Sequence, residues 1–107
     1  MTEMTKHAWA IAEKLDAMDE RELREYFDEN DLDTEYSVSF MGSDCIVNGA
    51  RIYITLGGPT VWVETEGRGG LAYVKARHGG DTGSALLEAE AANRIHCLYE
   101  ADFYSRF

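Results

Sequence analysis

The sequence predicts a single α+β domain over residues 1–107. We expect two N-terminal helices, an antiparallel meander of four or five strands, and a C-terminal helix packed on one sheet face. Two observations predict this class. Apolar residues recur every three or four positions up to Asn30 and again after Asp81, but they alternate with polar residues from Thr34. Glycine-rich segments separate the alternating stretches, as they do between hairpin-connected strands.

The first two helices are predicted from their caps and apolar stripes. Helix one is expected to begin near Thr2 or Thr5, and helix two to run from Asp19 to about Asn30. Glu22 follows Asp19 by three residues, which is the spacing of a capping box. The predicted apolar stripes are Met4, Ala8, Trp9, Ile11, Ala12, Leu15 and Met18 in helix one, and Leu23 and Phe27 in helix two.

The first strand is predicted in "TEYSVSF", where Tyr36, Val38 and Phe40 share one face. Further along, Asn48-Gly49 suits a type I′ turn between a short strand and a longer one. The alternative is one long strand that carries a glycine bulge. The fold class is the same in both cases.

The glycines of "LGGPTVWVETEGRGG" are predicted to turn strands rather than to bind a phosphate. A phosphate loop leads from a strand into a helix and carries a lysine, whereas here strand leads to strand. The third glycine segment, "HGGDTGSALL", is expected to run into the terminal helix, capped by Asp81, Thr82 or Ser84. Anion binding there is an alternative that the negative charge of Asp81 disfavours.

The predicted core combines the helical stripes with alternate strand positions. In the terminal helix the stripe comprises Leu87, Ala91, Ile95, Leu98, Tyr99 and Phe103. The residues expected to be most buried are Ile11, Leu15, Leu23, Phe27, Ile52, Ile54, Val61, Val63, Leu87, Ile95 and Leu98.

No motif predicts catalysis, a metal site or a cofactor. Cys45 and Cys97 form no Cys-x-x-Cys pair, so we expect free thiols. His78 and Cys45 both lie near predicted strand ends, but no third residue is spaced to orient them as base and nucleophile. We expect His96 to lie on the surface and Cys97 in or near the core.

The net charge of −10 argues against direct binding to nucleic acid or to anionic membrane surfaces. It favours a basic protein partner instead. The sequence shows no secretory signal and no apolar run long enough to span a membrane, so a cytoplasmic location is expected.

The charge is concentrated in one block. Residues 13–35 hold eleven acids and three bases, a net charge of −8. At 100° per residue, Glu22, Glu25 and Glu29 project away from Leu23 and Phe27. Such rows are often only solvated faces, but this concentration predicts a binding surface.

The segment "VNGARIYITLGGPTVWVETEGRGGLAYVKARHGG" and the acidic, aromatic C-terminal helix resemble small acidic proteins of phages and conjugative elements. Some of those are anti-CRISPR or anti-restriction proteins. The resemblance covers about the last two thirds of the chain by pattern, and no functional residue can be mapped from it. It implies a non-enzymatic inhibitor, in the cytoplasm of a host bacterium, that occupies the basic nucleic-acid groove of a defence protein such as a CRISPR effector.

Two alternatives remain open: a small-ligand or enzymatic domain that uses the sheet end near His78, and a homodimeric accessory protein. Exposed Trp62, Tyr73 and Phe107 would favour an interface. The predicted partner-binding residues are Glu22, Glu25, Asp28, Glu29, Asp31, Trp62 and Tyr73.

Overall fold

The computed structural model describes residues 2–106 and confirms the predicted α+β fold. Its five strands form one antiparallel sheet in the order β1-β2-β3-β4-β5. The elements are α1 (Glu3–Asp16), α2 (Glu20–Asn30), β1 (Asp33–Met41), β2 (Asp44–Thr55), β3 (Thr60–Thr65), β4 (Ala72–His78), β5 (Asp81–Leu86) and α3 (Ala89–Arg106).

The helices form one layer over one face of the sheet. α1 packs along β4 and β5, α3 crosses β2, β3 and β4, and α2 packs against α3. Along β3, Val61, Val63 and Thr65 are buried under this layer, whereas Trp62 and Glu64 point the other way and are half-buried. The second face, which no helix covers, is called the open sheet face below.

The predicted N-terminal caps of the first two helices are confirmed. The Thr2 hydroxyl accepts a hydrogen bond from the Thr5 amide at 3.2 Å, which caps α1. At α2 the Asp19 carboxylate accepts from the Glu22 amide at 2.8 Å, and the Glu22 carboxylate accepts from the Asp19 amide at 3.2 Å. The predicted capping box is therefore formed.

Most of the predicted core is buried, but the stripe of α1 is narrower than predicted. Trp9 is 51% exposed, and Ile11 is only half-buried, as is Leu98 in α3. α1 packs directly on β5, because a Cβ added at Gly83 would lie 2.2 Å from the Thr5 nitrogen. Such close contact confines the stripe to the residues directly above the sheet.

Asn48-Gly49 is not a turn, and the alternative of one bulged strand is correct. β2 is continuous, and its register with β1 shifts at Asn48, which has no partner opposite it. Gly49 is required for another reason: a Cβ there would lie 2.2 Å from the Thr65 carbonyl oxygen. The hairpin turn lies at Gly42-Ser43, where Gly42 has φ of +64°.

The face predicted for β1 is buried only in part. Tyr36 is half-buried, but Val38 and Phe40 are 36% and 71% exposed. The reason is that the pairing of β3 with β2 ends where Thr65 lies opposite Ala50, so β3 does not extend alongside the part of β2 that precedes Ala50. Beyond that level the hairpin of β1 and β2 continues as a two-stranded arm.

The third glycine segment does not lead into a helix. Residues 81–86 form β5, and α3 begins at Ala89, so Asp81, Thr82 and Ser84 do not cap the terminal helix. The Asp81 carboxylate instead accepts a hydrogen bond from the Met4 amide at 3.2 Å. The segment pairs with β4, and the helix N-terminus that lies beside it is that of α1, whose Met4 amide already binds the Asp81 carboxylate.

Candidate functional site

The acidic row of α2 faces solvent as predicted. Leu23 and Phe27 are buried, so the helix presents its opposite side outward. The arginines of α2 form only exposed pairs, Arg21 with Glu25 at 4.0 Å and Arg24 with Glu20 at 3.5 Å. The acidic face is defined here as the exposed residues Glu22, Glu25, Asp28 and Glu29, with half-buried Asp31 after the helix.

An acidic cleft adjoins the acidic face where α2 ends against α3. It has a volume of about 260 Å³, and its carboxylates come from Asp28, Asp31 and Asp102. Among the described residues that line it, Arg106 is the one cation, and it pairs with Asp102 at 3.2 Å. The cleft therefore keeps an excess of negative charge.

Two tyrosine hydroxyls hold the cleft carboxylates in place. Tyr99 donates to Asp31 Oδ2 at 2.8 Å, and Tyr36 donates to Asp102 Oδ2 at 3.0 Å. Burial, followed by these hydrogen bonds, raises the pKa of both tyrosines. Both hydroxyls therefore stay protonated at neutral pH and act as fixed donors, which orients Asp31 and Asp102.

The open sheet face is centred on Trp62. The guanidinium carbons of Arg51 and Arg77 lie 5.8 and 5.9 Å from its ring centroid, and the Tyr53 ring lies 6.0 Å away. Both arginines are within reach of cation–π attraction. This face thus combines aromatic and basic side chains, unlike the acidic face.

Glu64 forms ion pairs with two cations of the open sheet face. Its carboxylate pairs with Arg51 and Lys75, each at 3.0 Å, and accepts from the Trp62 indole at 3.3 Å. Burial alone would raise the pKa of Glu64, but these hydrogen bonds and neighbouring cations outweigh it and lower the pKa. Arg77 has no ion pair within residues 2–106.

The predicted site residues do not form one site. Glu22, Glu25, Asp28, Glu29 and Asp31 belong to the helical layer, whereas half-buried Trp62 and Tyr73 lie on the open sheet face. Lys75 lies 5.5 Å from the Tyr73 ring centroid. Phe107 lies outside the described residues. The chain therefore has two candidate surfaces, one on each side of the sheet.

A buried polar network was missed by sequence reasoning. His96 is 1% exposed rather than on the surface, and exposed Cys97 takes the position expected of His96. His96 Nδ1 lies 3.2 Å from the Thr65 hydroxyl, and Nε2 lies 3.1 Å from the Glu100 carboxylate, which also pairs with Arg68. The spacing of His96 and Glu100, four residues apart on a helix, was the available signal.

This network resembles a nucleophile-base-acid relay, but its position is structural. The Thr65 hydroxyl already accepts from the Ala50 amide at 3.0 Å, and Thr65 is only 4% exposed. The carboxylate of Glu100 can only accept, so His96 donates to it through Nε2, while Nδ1 and the Thr65 hydroxyl form the second hydrogen bond. These bonds give each of the three polar groups a partner inside the fold.

The other candidate catalytic pair, Cys45 and His78, is separated in the fold. Ala50 on β2 and Ala72 on β4 both pair with Thr65 on β3, so they lie at the same level of the sheet. Cys45 lies five residues before Ala50, and His78 lies six residues after Ala72, in the opposite direction along the parallel strands β2 and β4. Cys45 and His78 therefore lie toward opposite ends of the sheet and cannot act together. Within residues 2–106, no group of three or more metal-ligating side chains is gathered, and no helix is sufficiently long and apolar to cross a membrane.

Comparisons with known protein families, with curated proteins and with solved structures found no match for this chain. A function is therefore inferred from the two surfaces themselves.

Proposed function

We propose that this chain is a non-enzymatic binding protein whose acidic face and acidic cleft engage the arginines and lysines of a basic nucleic-acid-binding protein. The observation that carries the proposal is the pair of carboxylates Asp31 and Asp102, held in the cleft by tyrosine hydroxyls beside a row of exposed acids. Carboxylates so arranged can replace phosphates as partners for guanidinium groups.

The exposed row and the cleft contribute in different ways. Glu22, Glu25 and Glu29 are solvated, so they raise the rate of encounter and make it sensitive to salt. A guanidinium that enters the cleft loses water and meets carboxylates that need little reordering. Its contacts should therefore supply more of the affinity than those at the rim.

The resemblance to small acidic proteins of mobile elements narrows the partner. It favours a bacterial defence protein, such as a CRISPR effector, in the host cytoplasm, whose nucleic-acid groove the acidic face would occupy. The prediction specific to this partner is competition: added nucleic acid should release the bound protein. Co-expression should also protect a targeted plasmid from CRISPR interference.

The test compares two variants of equal net charge. Glu22→Lys, Glu25→Lys and Glu29→Lys reverse the acidic face, whereas Glu3→Lys, Glu66→Lys and Glu90→Lys reverse three exposed acids elsewhere. Each is used as bait in a bacterial lysate, captured proteins are identified by mass spectrometry, and affinities are then measured by calorimetry at two salt concentrations.

We expect the control variant to retain the partner and the acidic-face variant to lose it, with circular dichroism confirming that both are folded. Asp31→Asn should weaken binding with less change in salt dependence, because it acts in the cleft. Equal capture by both triple variants would contradict the proposal.

A second candidate function is supported by Arg77 and Lys75 beside Trp62. A groove of about 490 Å³ on the open sheet face is lined in part by Trp62, Lys75 and Arg77, next to His78. Such a groove suits a flat anionic ligand such as a nucleotide. In a Trp9→Phe background, ATP should quench Trp62 fluorescence, and Arg77→Ala should abolish the quenching; an unchanged spectrum would remove this candidate.

A further inference from the structure

β1 leaves one edge of the sheet uncovered. It pairs with β2 on one side only, and within residues 2–106 no strand lies on its other side. From Ser37 to Met41 every residue is exposed. An edge of this kind presents unpaired backbone donors and acceptors to any strand that can align with it.

The two halves of this edge differ in protection. The first half carries Asp33 and Glu35, charges of the kind that keep edge strands from pairing. The second half, Ser37–Met41, carries no charge and exposes Phe40 by 71% and Met41 by 68%. Pairing is therefore blocked at one end of β1 and favoured at the other.

The opposite edge of the same arm is closed. Beyond the end of β3, the Tyr104 hydroxyl lies 3.3 Å from the Val47 amide, from which it accepts, and donates to the Cys45 carbonyl at 2.9 Å. A side chain of α3 thus replaces the missing strand along β2. Nothing in residues 2–106 does the same for the outer edge of β1.

We propose that a second copy of this chain covers the edge, with the two β1 strands antiparallel about a twofold axis at Ser39. The uncharged window then pairs with itself, because Val38 faces Phe40 of the partner subunit and Phe40 faces the partner subunit's Val38. Contact between an aromatic and a β-branched side chain is a favourable cross-strand pair, and the twofold axis makes it occur twice.

The distribution of charge along the chain favours a second copy at this edge and favours the register with the axis at Ser39. Two chains of net charge −10 can meet only where their charges are sparse, and residues 37–47 carry a single acid, Asp44. With the axis at Ser39, residues 37–41 pair with the same residues of the partner subunit, and Glu35 and Asp44 lie outside the paired window. No two carboxylates then face each other across the pair.

The dimer would have one sheet of ten strands with both helical layers on the same side. Residues directly opposite in an antiparallel pair point to the same face, so the axis is perpendicular to the sheet. Two acidic faces would then be presented together. The dimer itself does not depend on the proposed function of those faces.

Sedimentation velocity over a range of concentrations tests the assembly. The chain of 12.0 kDa should approach twice that mass as concentration rises. Val38→Lys with Phe40→Lys should halve the mass at high concentration by restoring charge to the edge. Leu56→Lys with Leu71→Lys is the matched control, because both leucines are exposed and lie outside β1, and it should remain dimeric.

Disulfide crosslinking tests the register in a Cys45→Ser, Cys97→Ser background. Ser39→Cys lies on the axis and should crosslink under mild oxidation. Glu35→Cys should not, because its two copies are eight positions apart along the pair, about 27 Å at 3.4 Å per residue. A monomer at every concentration, a charged-edge variant that still dimerises, or crosslinking at Glu35 but not at Ser39 would overturn the proposal.

Discussion

Helix α2, which carries the acidic face, and the open sheet face both pair glutamates with cations, but they arrange these pairs differently. On α2, the Arg21–Glu25 pair has side chains that are 81% and 65% exposed. On the sheet, Glu64 is 20% exposed and shared between Arg51 and Lys75. Solvated charges leave a long-range field for a partner, whereas paired charges beside Trp62 act at short range.

The difference shows how one small domain can separate two surfaces. A helix that contributes only Leu23 and Phe27 to the core is free to carry carboxylates on its remaining sides. A sheet brings side chains of neighbouring strands together, so an isolated charge there meets a partner or an aromatic ring.

Both surfaces rest on one core, so the largest effect should come from a core truncation. Ile54→Ala removes a side chain that is 8% exposed and should lower the free energy of unfolding by about 2 to 5 kcal/mol. Leu98→Ala should cost less, because Leu98 is half-buried. Urea denaturation measures both, and an Ile54→Ala midpoint equal to that of the parent would contradict the assigned sheet face.

His96→Leu should be the next most destabilising change. It leaves the Thr65 hydroxyl and the Glu100 carboxylate without their buried partner, at a cost of about 2 to 3 kcal/mol. His7→Leu is the control, because His7 is exposed on α1. Equal unfolding midpoints for the two variants would show that the network between the sheet and α3 adds no stability.

Tyr99→Phe tests the rigidity of the acidic cleft. The loss of the hydrogen bond to Asp31 should cost about 1 kcal/mol at neutral pH. Since the folded chain raises the pKa of Tyr99, the stability linked to its proton is complete below the unfolded pKa of 10.0 and is lost as pH rises further. Denaturation at rising pH should therefore show a shallower alkaline decline in the variant.

Glu64→Gln should have the smallest effect on the free energy of unfolding, and this effect should depend on pH. The pKa of Glu64 is lowered by folding, so its contribution is present above its unfolded pKa of 4.5 and is lost as pH falls through the folded value. With solvent screening, we expect about 0.5 kcal/mol at pH 7 and less at pH 3. Glu25→Gln on the acidic face should leave the free energy of unfolding unchanged at both pH values. If Glu64→Gln and Glu25→Gln had equal effects, the two surfaces would not differ in how they hold their charges.

Several errors in the sequence predictions have one physical origin. Asn48-Gly49 has the composition of a turn, yet β2 continues through it because Gly49 meets the Thr65 carbonyl on β3. Asp81, Thr82 and Ser84 have the composition of a helix cap, yet they pair with β4. In both places a long-range backbone contact overrode a local preference.

The candidate site shows the same division. The outward direction of Glu22, Glu25 and Glu29 could be predicted, since it depends only on the helical period and on Leu23 and Phe27. The cleft could not, because Asp31 and Asp102 are 71 residues apart and are joined only by the packing of α2 against α3.

The sequence by itself determined the order of helices and strands, the caps of α1 and α2, and the concentration of acids in residues 13–35. These follow from contacts between residues a few positions apart. Only the tertiary structure decided that His96 rather than Cys97 is buried, and that Arg51 and Arg77 flank Trp62. Which side of a helix meets the sheet, and which strands become neighbours, is set by the burial of apolar surface across the whole chain.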